Sequence, residues 1–119
     1  MTVDFSRDVK DNNYLFLNFK EEVIENFDEL ANFLNSNLNI TKLSLGNCSI
    51  DKNNIGSLVN SIKHSNVTDL DIQNNELDVD GIAVLFNSNI PFTNLNLQNN
   101  NIGYIERTKQ GTPGLSGGG

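Results

Sequence analysis

The side chains best suited to chemistry in this sequence are one cysteine, one histidine and a run of carboxylates. Cys48 is the only thiol, and a thiol nucleophile needs partial exposure and a neighbour that stabilises its thiolate. His64 is the only histidine, and no second histidine or cysteine stands near it to complete a transition-metal site. We therefore expect neither residue to be catalytic or to bind a metal.

Five carboxylates fall between residues 69 and 80. Asp69 and Asp71 alternate as the outward residues of a strand do, and Glu76, Asp78 and Asp80 follow. Paired carboxylates can serve a glycosidase or a hard cation, but a calcium loop needs more oxygen ligands at fixed spacing. Nucleotide-binding and hydrolase motifs are absent from the sequence. We interpret the run as a solvated acidic patch and expect no catalytic residue, no metal and no cofactor.

A repeated pattern of apolar residues predicts the strands and helices that would position these residues. Three blocks begin near residues 40, 67 and 92, which places their starts 27 and 25 residues apart. The apolar anchors are Ile40, Leu43, Leu45 and Ile50, then Val67, Leu70, Ile72 and Leu77, then Phe92, Leu95, Leu97 and Ile102. Cys48, Asn75 and Asn100 occupy one shared slot. Each block matches L-x-x-L-x-L-x-x-(N/C)-x-L, the pattern of the leucine-rich repeat.

The spacing after the first block is helical, with Ile55, Leu58, Val59 and Ile62 on one face. A unit of this length with a true helix resembles the ribonuclease-inhibitor-like branch of the leucine-rich-repeat family. The resemblance implies an α/β solenoid with a short parallel sheet on the concave side and helices on the convex side. A buried slot residue must satisfy backbone groups of its loop, so Cys48, Asn75 and Asn100 are expected to form a structural ladder.

The chain divides into three segments by its patterning. Residues 1–39 are predicted to be a degenerate capping repeat, with a strand over residues 14–19 and then a helical periodicity from Ile24 to Leu38. Residues 40–103 are the repeats, and residues 104–119 are predicted to be a flexible glycine-rich tail. Three explanations for the tail stay open: a fragment of a longer array, a segment added in cloning, or an open repeat edge that pairs with a second copy or a partner.

Charge narrows the class of partner. Fifteen acidic against eight basic residues give a net charge of −7, which argues against nucleic acid and against an anionic membrane surface. Outward strand residues stack into columns on the concave face, and Tyr14 and Phe16 are the expected anchors there, with Asp69 and Asp71 selecting a basic protein partner. The candidate binding residues are Tyr14, Phe16, Lys42, Ser44, Asp69, Asp71, Gln73, Asn94, Asn96 and Gln98.

The expected function is a non-enzymatic protein–protein interaction module. The asparagine-rich repeats resemble those of intracellular bacteria such as Legionella, whose leucine-rich-repeat proteins are often effectors translocated into a host cell. Two alternatives stay open: a regulatory fragment of a larger enzyme, and a small acidic inhibitor of a basic enzyme. A lone cysteine fits a reducing compartment such as the cytoplasm, and no Sec signal peptide is visible in the first residues, so export into a host would use another route.

Overall fold

A five-stranded sheet forms the frame of the protein in a computed structural model, which describes residues 4–101. The strands are β1 (Val9–Lys10), β2 (Tyr14–Phe16), β3 (Lys42–Ser44), β4 (Asp69–Asp71) and β5 (Asn94–Asn96). They lie side by side in sequence order. β1 is antiparallel to β2, and every later pair is parallel. The fold class is therefore α/β, as the sequence predicts.

Helices connect the parallel strands, because a parallel pair needs a long crossover. They are α1 (Glu22–Glu25), α2 (Phe27–Ser36), α3 (Ile55–Ile62) and α4 (Asp78–Phe86), and a 3₁₀ turn precedes β1 at Ser6–Asp8. The helix predicted over Ile55–Ile62 is confirmed as α3. None of the helices within residues 4–101 is long and apolar enough to cross a membrane.

The register of the sheet aligns the repeat anchors. Leu15, Leu43, Leu70 and Leu95 are direct neighbours on successive strands. The first three are fully buried, and Leu95 is only partly buried. Their shared face of the sheet packs into one core with the helices. The alternate residues of the same strands lie on the opposite face, which we call the open face.

The N-terminal segment differs in detail from its prediction. β2 ends at Phe16 rather than at residue 19. The single helical stretch predicted to reach Leu38 is two helices, α1 and α2, and Leu38 lies beyond them with 53% of its surface exposed. Periodicity missed Phe5, which is fully buried and meets Phe33 edge-on at 5.9 Å between ring centroids. A lone aromatic before the first strand has no periodic partner that would mark it as core.

The last strand lies at one edge of the sheet. Within residues 4–101, β5 pairs with β4 and with no other strand. Leu97 and Phe92 share the partial burial of Leu95, whereas their equivalents in the two earlier blocks are buried. Ile102 and the tail predicted over residues 104–119 lie outside the described residues.

Candidate binding site

The outward side chains of the strands form two complete rows across the open face. The first row contains Tyr14, Lys42, Asp69 and Asn94, and the second contains Phe16, Ser44, Asp71 and Asn96. Gln73 lies two residues after Asp71, just past the end of β4, and Gln98 lies two residues after Asn96, just past the end of β5. The structure thus brings the ten residues predicted from sequence onto one surface, although Ser44 is not accessible there.

Two aromatic rings and two lysines lie together at the N-terminal side of this face. The rings of Tyr14 and Phe16 meet edge-on, 5.7 Å apart between centroids. The Lys42 ammonium lies 4.5 Å from the centroid of Tyr14, and the Lys10 ammonium lies 5.2 Å from that of Phe16. Both distances are within the range of cation–π attraction. The aromatic pair is therefore flanked by positive charge, and Lys10 is not among the binding residues predicted from the sequence.

Negative charge on the open face is confined to β4. Asp69 is the direct neighbour of Lys42 in the sheet register. Asp71 accepts two hydrogen bonds from Gln73, one from its side-chain Nε2 at 3.0 Å and one from its backbone N–H at 3.2 Å. Within residues 4–101 the ion pairs join Lys20 to Asp8 and Lys52 to Asp80. The carboxylates of β4 are therefore partly exposed and form no ion pair with a lysine among residues 4–101.

Ser44 is a correction to the predicted binding face. It was expected to be exposed, but only 1% of its surface is accessible. The reason is its size, because this short side chain lies in register between the larger Phe16 and Asp71. Its Oγ has no hydrogen-bond partner among the described residues, and the same holds for the Oδ1 of Asn18. Two polar atoms of the open face, one in the row of Phe16 and one beside Gly46, are thus buried without partners among residues 4–101.

Replacing Ser44 by alanine is expected to raise the free energy of unfolding by about 1 kcal/mol. A buried hydroxyl without a partner costs about 1–3 kcal/mol, and the substitution removes that cost. Ser61→Ala is the matched control, since the buried Ser61 hydroxyl has acceptors for its one hydrogen in the backbone oxygens of Phe27 at 3.0 Å and Ser57 at 2.9 Å. Urea denaturation of both variants should show opposite signs. Destabilisation by Ser44→Ala would contradict the unpaired state of its hydroxyl.

The slot residues of the repeat lie inside the loops that follow the strands. Asn75 Oδ1 accepts from the backbone N–H groups of Cys48 at 3.0 Å and Ile50 at 2.9 Å. Its Nδ2 lies within hydrogen-bond distance of three backbone oxygens, of Leu45, Ile72 and Gln73, and shares its two hydrogens among them. Asn100 repeats the arrangement: its Oδ1 accepts from the N–H of Leu77, and its Nδ2 shares two hydrogens among the oxygens of Ile72, Leu97 and Gln98. The amides thereby connect one loop to the next.

Cys48 is buried in the equivalent slot and donates its thiol hydrogen to the Leu17 oxygen at 2.9 Å. Burial raises the pKa of this thiol above its ordinary value, although the N–H groups of Lys20 and Phe19 act in the opposite direction. A thiol that is buried and neutral is a poor nucleophile. The geometry therefore gives Cys48 a structural role.

The raised pKa of Cys48 predicts slow labelling and a loss of stability in alkali. Because the fold favours the neutral thiol, its stabilising contribution is complete below the unfolded pKa of about 9 and is lost as pH rises through the higher folded value. We expect a thiol reagent at pH 8 to label the folded chain at least about 100-fold more slowly than the denatured chain. Cys48→Ala should lessen the alkaline fall in stability. Equally fast labelling of both states would contradict this burial.

Among residues 4–101, the acidic residues that follow β4 and His64 do not come together in one site. Asp78 Oδ1 accepts from the N–H groups of Asp80 at 2.9 Å and Gly81 at 3.3 Å, as a residue that caps a helix does. Glu76 accepts from the side chain of Asn101 at 3.0 Å. His64 is exposed. Within residues 4–101, no three side chains of the metal-ligating types lie close enough together to hold an ion.

No protein-family model matches this chain, and no curated protein matches it either. The open face remains the surface where aromatic, charged and amide side chains converge.

Proposed function

We propose that this chain is a leucine-rich-repeat solenoid that binds a protein partner through its open face and catalyses no reaction. The fold supports the proposal through the spacing of its parallel strands, since Leu43 and Leu70, and then Leu70 and Leu95, are equivalent residues of successive repeats. The hydrogen bonds that the side-chain amides of Asn75 and Asn100 make to neighbouring loops support it as well. Repeats of this kind stack so that each contacts its neighbours and leaves an extended binding surface.

The observation that carries the binding proposal is the composition of the open face. Phe16 remains 36% exposed beside Tyr14, and the carboxylates of Asp69 and Asp71 lie two strands away. An aromatic anchor with polar surroundings is typical of the residues that dominate protein interfaces. Charged neighbours then select the partner and orient its approach.

The charges favour a partner with a short basic segment. On the open face the carboxylates of Asp69 and Asp71 are balanced by Lys42 and Lys10, so the net charge of −7 comes from other surfaces. An inhibitor that covers a broadly basic enzyme would need acidic side chains on several strands. The confinement of the carboxylates to β4 therefore favours a local contact over such an inhibitor.

Selection from a displayed library of random peptides against the full chain tests the proposal. Selected peptides should bind the Asp69→Asn/Asp71→Asn variant at least about tenfold more weakly than the unsubstituted chain. Glu21→Gln/Glu22→Gln changes the net charge equally at exposed positions away from the open face, and it should leave binding unchanged. Peptides that bind both variants alike, or an absence of selected peptides, would contradict the proposal. Biolayer interferometry gives the affinities.

A further inference from the structure

Four features of the open face that attract hydrogen-bond donors or cations lie in the row of Ser44 or in the next row of the strand register. The Phe16 ring lies on one side of it and the Asp71 carboxylate on the other, as the strand register requires. Ser44 Oγ is buried and has no hydrogen-bond partner among residues 4–101. Asn18 Oδ1, which lies one outward position further along the chain from Phe16, is also without one. The site thus offers a ring face, a carboxylate and two unused oxygens.

Two of these groups already hold a donor from the chain itself. The Lys10 ammonium lies over the Phe16 ring at 5.2 Å from its centroid. The Gln73 Nε2 donates to Asp71 Oδ2 at 3.0 Å. These contacts show that the ring accepts a cation and that the carboxylate accepts an N–H group from the side of Gln73. Neither contact satisfies Ser44 or Asn18.

We propose that this site, which we call the Ser44 site, binds an arginine side chain of the protein partner; this inference rests on the function proposed above. A guanidinium is planar, stays charged, stacks on aromatic rings and carries five N–H donors in a fixed fork. Those donors match a carboxylate and two single oxygens beside a ring. A lysine has a compact, strongly hydrated charge with three donors, which suits this spread of acceptors less well.

Binding requires that the internal donors move aside. Lys10 lies on the two-residue strand β1, and its ammonium competes directly with an incoming cation for the Phe16 ring. Gln73 must release Asp71 Oδ2, and the side chains around Ser44 must separate enough to expose its hydroxyl. The Ser44 site is therefore partly closed by its own chain, and removing Lys10 should strengthen arginine binding.

The test uses the full chain, labelled with ¹⁵N, and the capped tripeptide acetyl-Gly-Arg-Gly-amide. We expect saturable changes in the amide resonances of Phe16, Ser44 and Asp71. The same peptide with citrulline, which keeps the shape of arginine without its charge, should bind at least about tenfold more weakly. The lysine peptide should also be weaker than the arginine peptide.

Variants separate a binding role from a merely structural one. Lys10→Met should tighten binding of the arginine peptide by about threefold or more, because it removes the competing cation. Asp71→Asn should weaken binding by about tenfold, and Ser44→Ala should weaken it while the protein becomes more stable. Asp28→Asn changes the charge equally at an exposed position of α2 and is the control.

Equal shifts with the citrulline peptide, no effect of Lys10→Met, or no saturable change at these three residues would overturn the assignment of arginine to the Ser44 site. If selected library peptides still depend on Asp69 and Asp71 in that case, only this inference fails. If those peptides also ignore the open face, the proposed function fails with it.

Discussion

Replacing Asn75 by alanine is expected to lower the free energy of unfolding by about 3–5 kcal/mol. The side chain accepts from two backbone N–H groups, of Cys48 and Ile50, and shares its two amide hydrogens among three backbone oxygens. All of these lie in or beside the buried loops, where water does not replace a lost partner. The substitution leaves at least two buried donors unpaired, each at a cost of about 1–3 kcal/mol. Urea denaturation followed by circular dichroism measures the loss.

Asn60→Ala is the matched control for this experiment. Asn60 is exposed within α3, and alanine has the higher helix propensity, so the change should lie within about 0.5 kcal/mol of zero. Asn100→Ala should fall between the two, since among residues 4–101 its Oδ1 accepts one backbone hydrogen bond, from Leu77 at 3.2 Å. A loss below about 1 kcal/mol for Asn75→Ala would show that the loops do not depend on the amide.

The abundance of asparagine also has a local cause that the repeat pattern did not reveal. Asn47, Asn74 and Asn99 occupy one equivalent position of the three blocks, and all three have positive φ angles, of 55°, 59° and 59°. Asparagine tolerates this left-handed region better than most residues. The position therefore serves the turn after each strand. Sequence spacing identifies such a column but does not distinguish a turn residue from a surface contact.

The repeat anchors could be predicted because they depend on a short-range rule. A strand that buries one face alternates, and Leu43 and Leu45 or Leu70 and Ile72 follow that alternation directly. The antiparallel β1 follows no repeat, so the lysine that it places over Phe16 had no signal in the sequence. Its position depends on a reversal of the chain between Lys10 and Tyr14.

The site was predicted in outline because the register of parallel strands follows from the repeat. What the register does not give is the accessible surface of each residue. Ser44 has the outward parity of Lys42 and Asp71, yet larger neighbours in its row cover it. Burial on an open face depends on the sizes and rotamers of several side chains together, and no single periodicity encodes that.

Leu70→Ala is expected to lower the free energy of unfolding by about 3 kcal/mol, whereas Leu95→Ala should lower it by about 1 kcal/mol. The two leucines are direct neighbours in the sheet and equivalent in the repeat. Leu70 is fully buried between β3 and β5, so its truncation removes apolar contacts and leaves a cavity. Leu95 is only partly buried on the last described strand, so it has less contact to lose.

The comparison of these two variants measures how the core is shared between repeats. In a stack where each unit contacts only its neighbours, the cost of a truncation should follow the number of strands that flank it. Leu43 is also buried, and its strand β3 lies between β2 and β4. The loss of unfolding free energy from Leu43→Ala should then match that from Leu70→Ala within about 1 kcal/mol. If Leu95→Ala costs as much as Leu70→Ala, the edge at β5 is covered in solution. Urea denaturation of the three variants at two protein concentrations distinguishes cover by a second copy from cover by the same chain, because only the former depends on concentration.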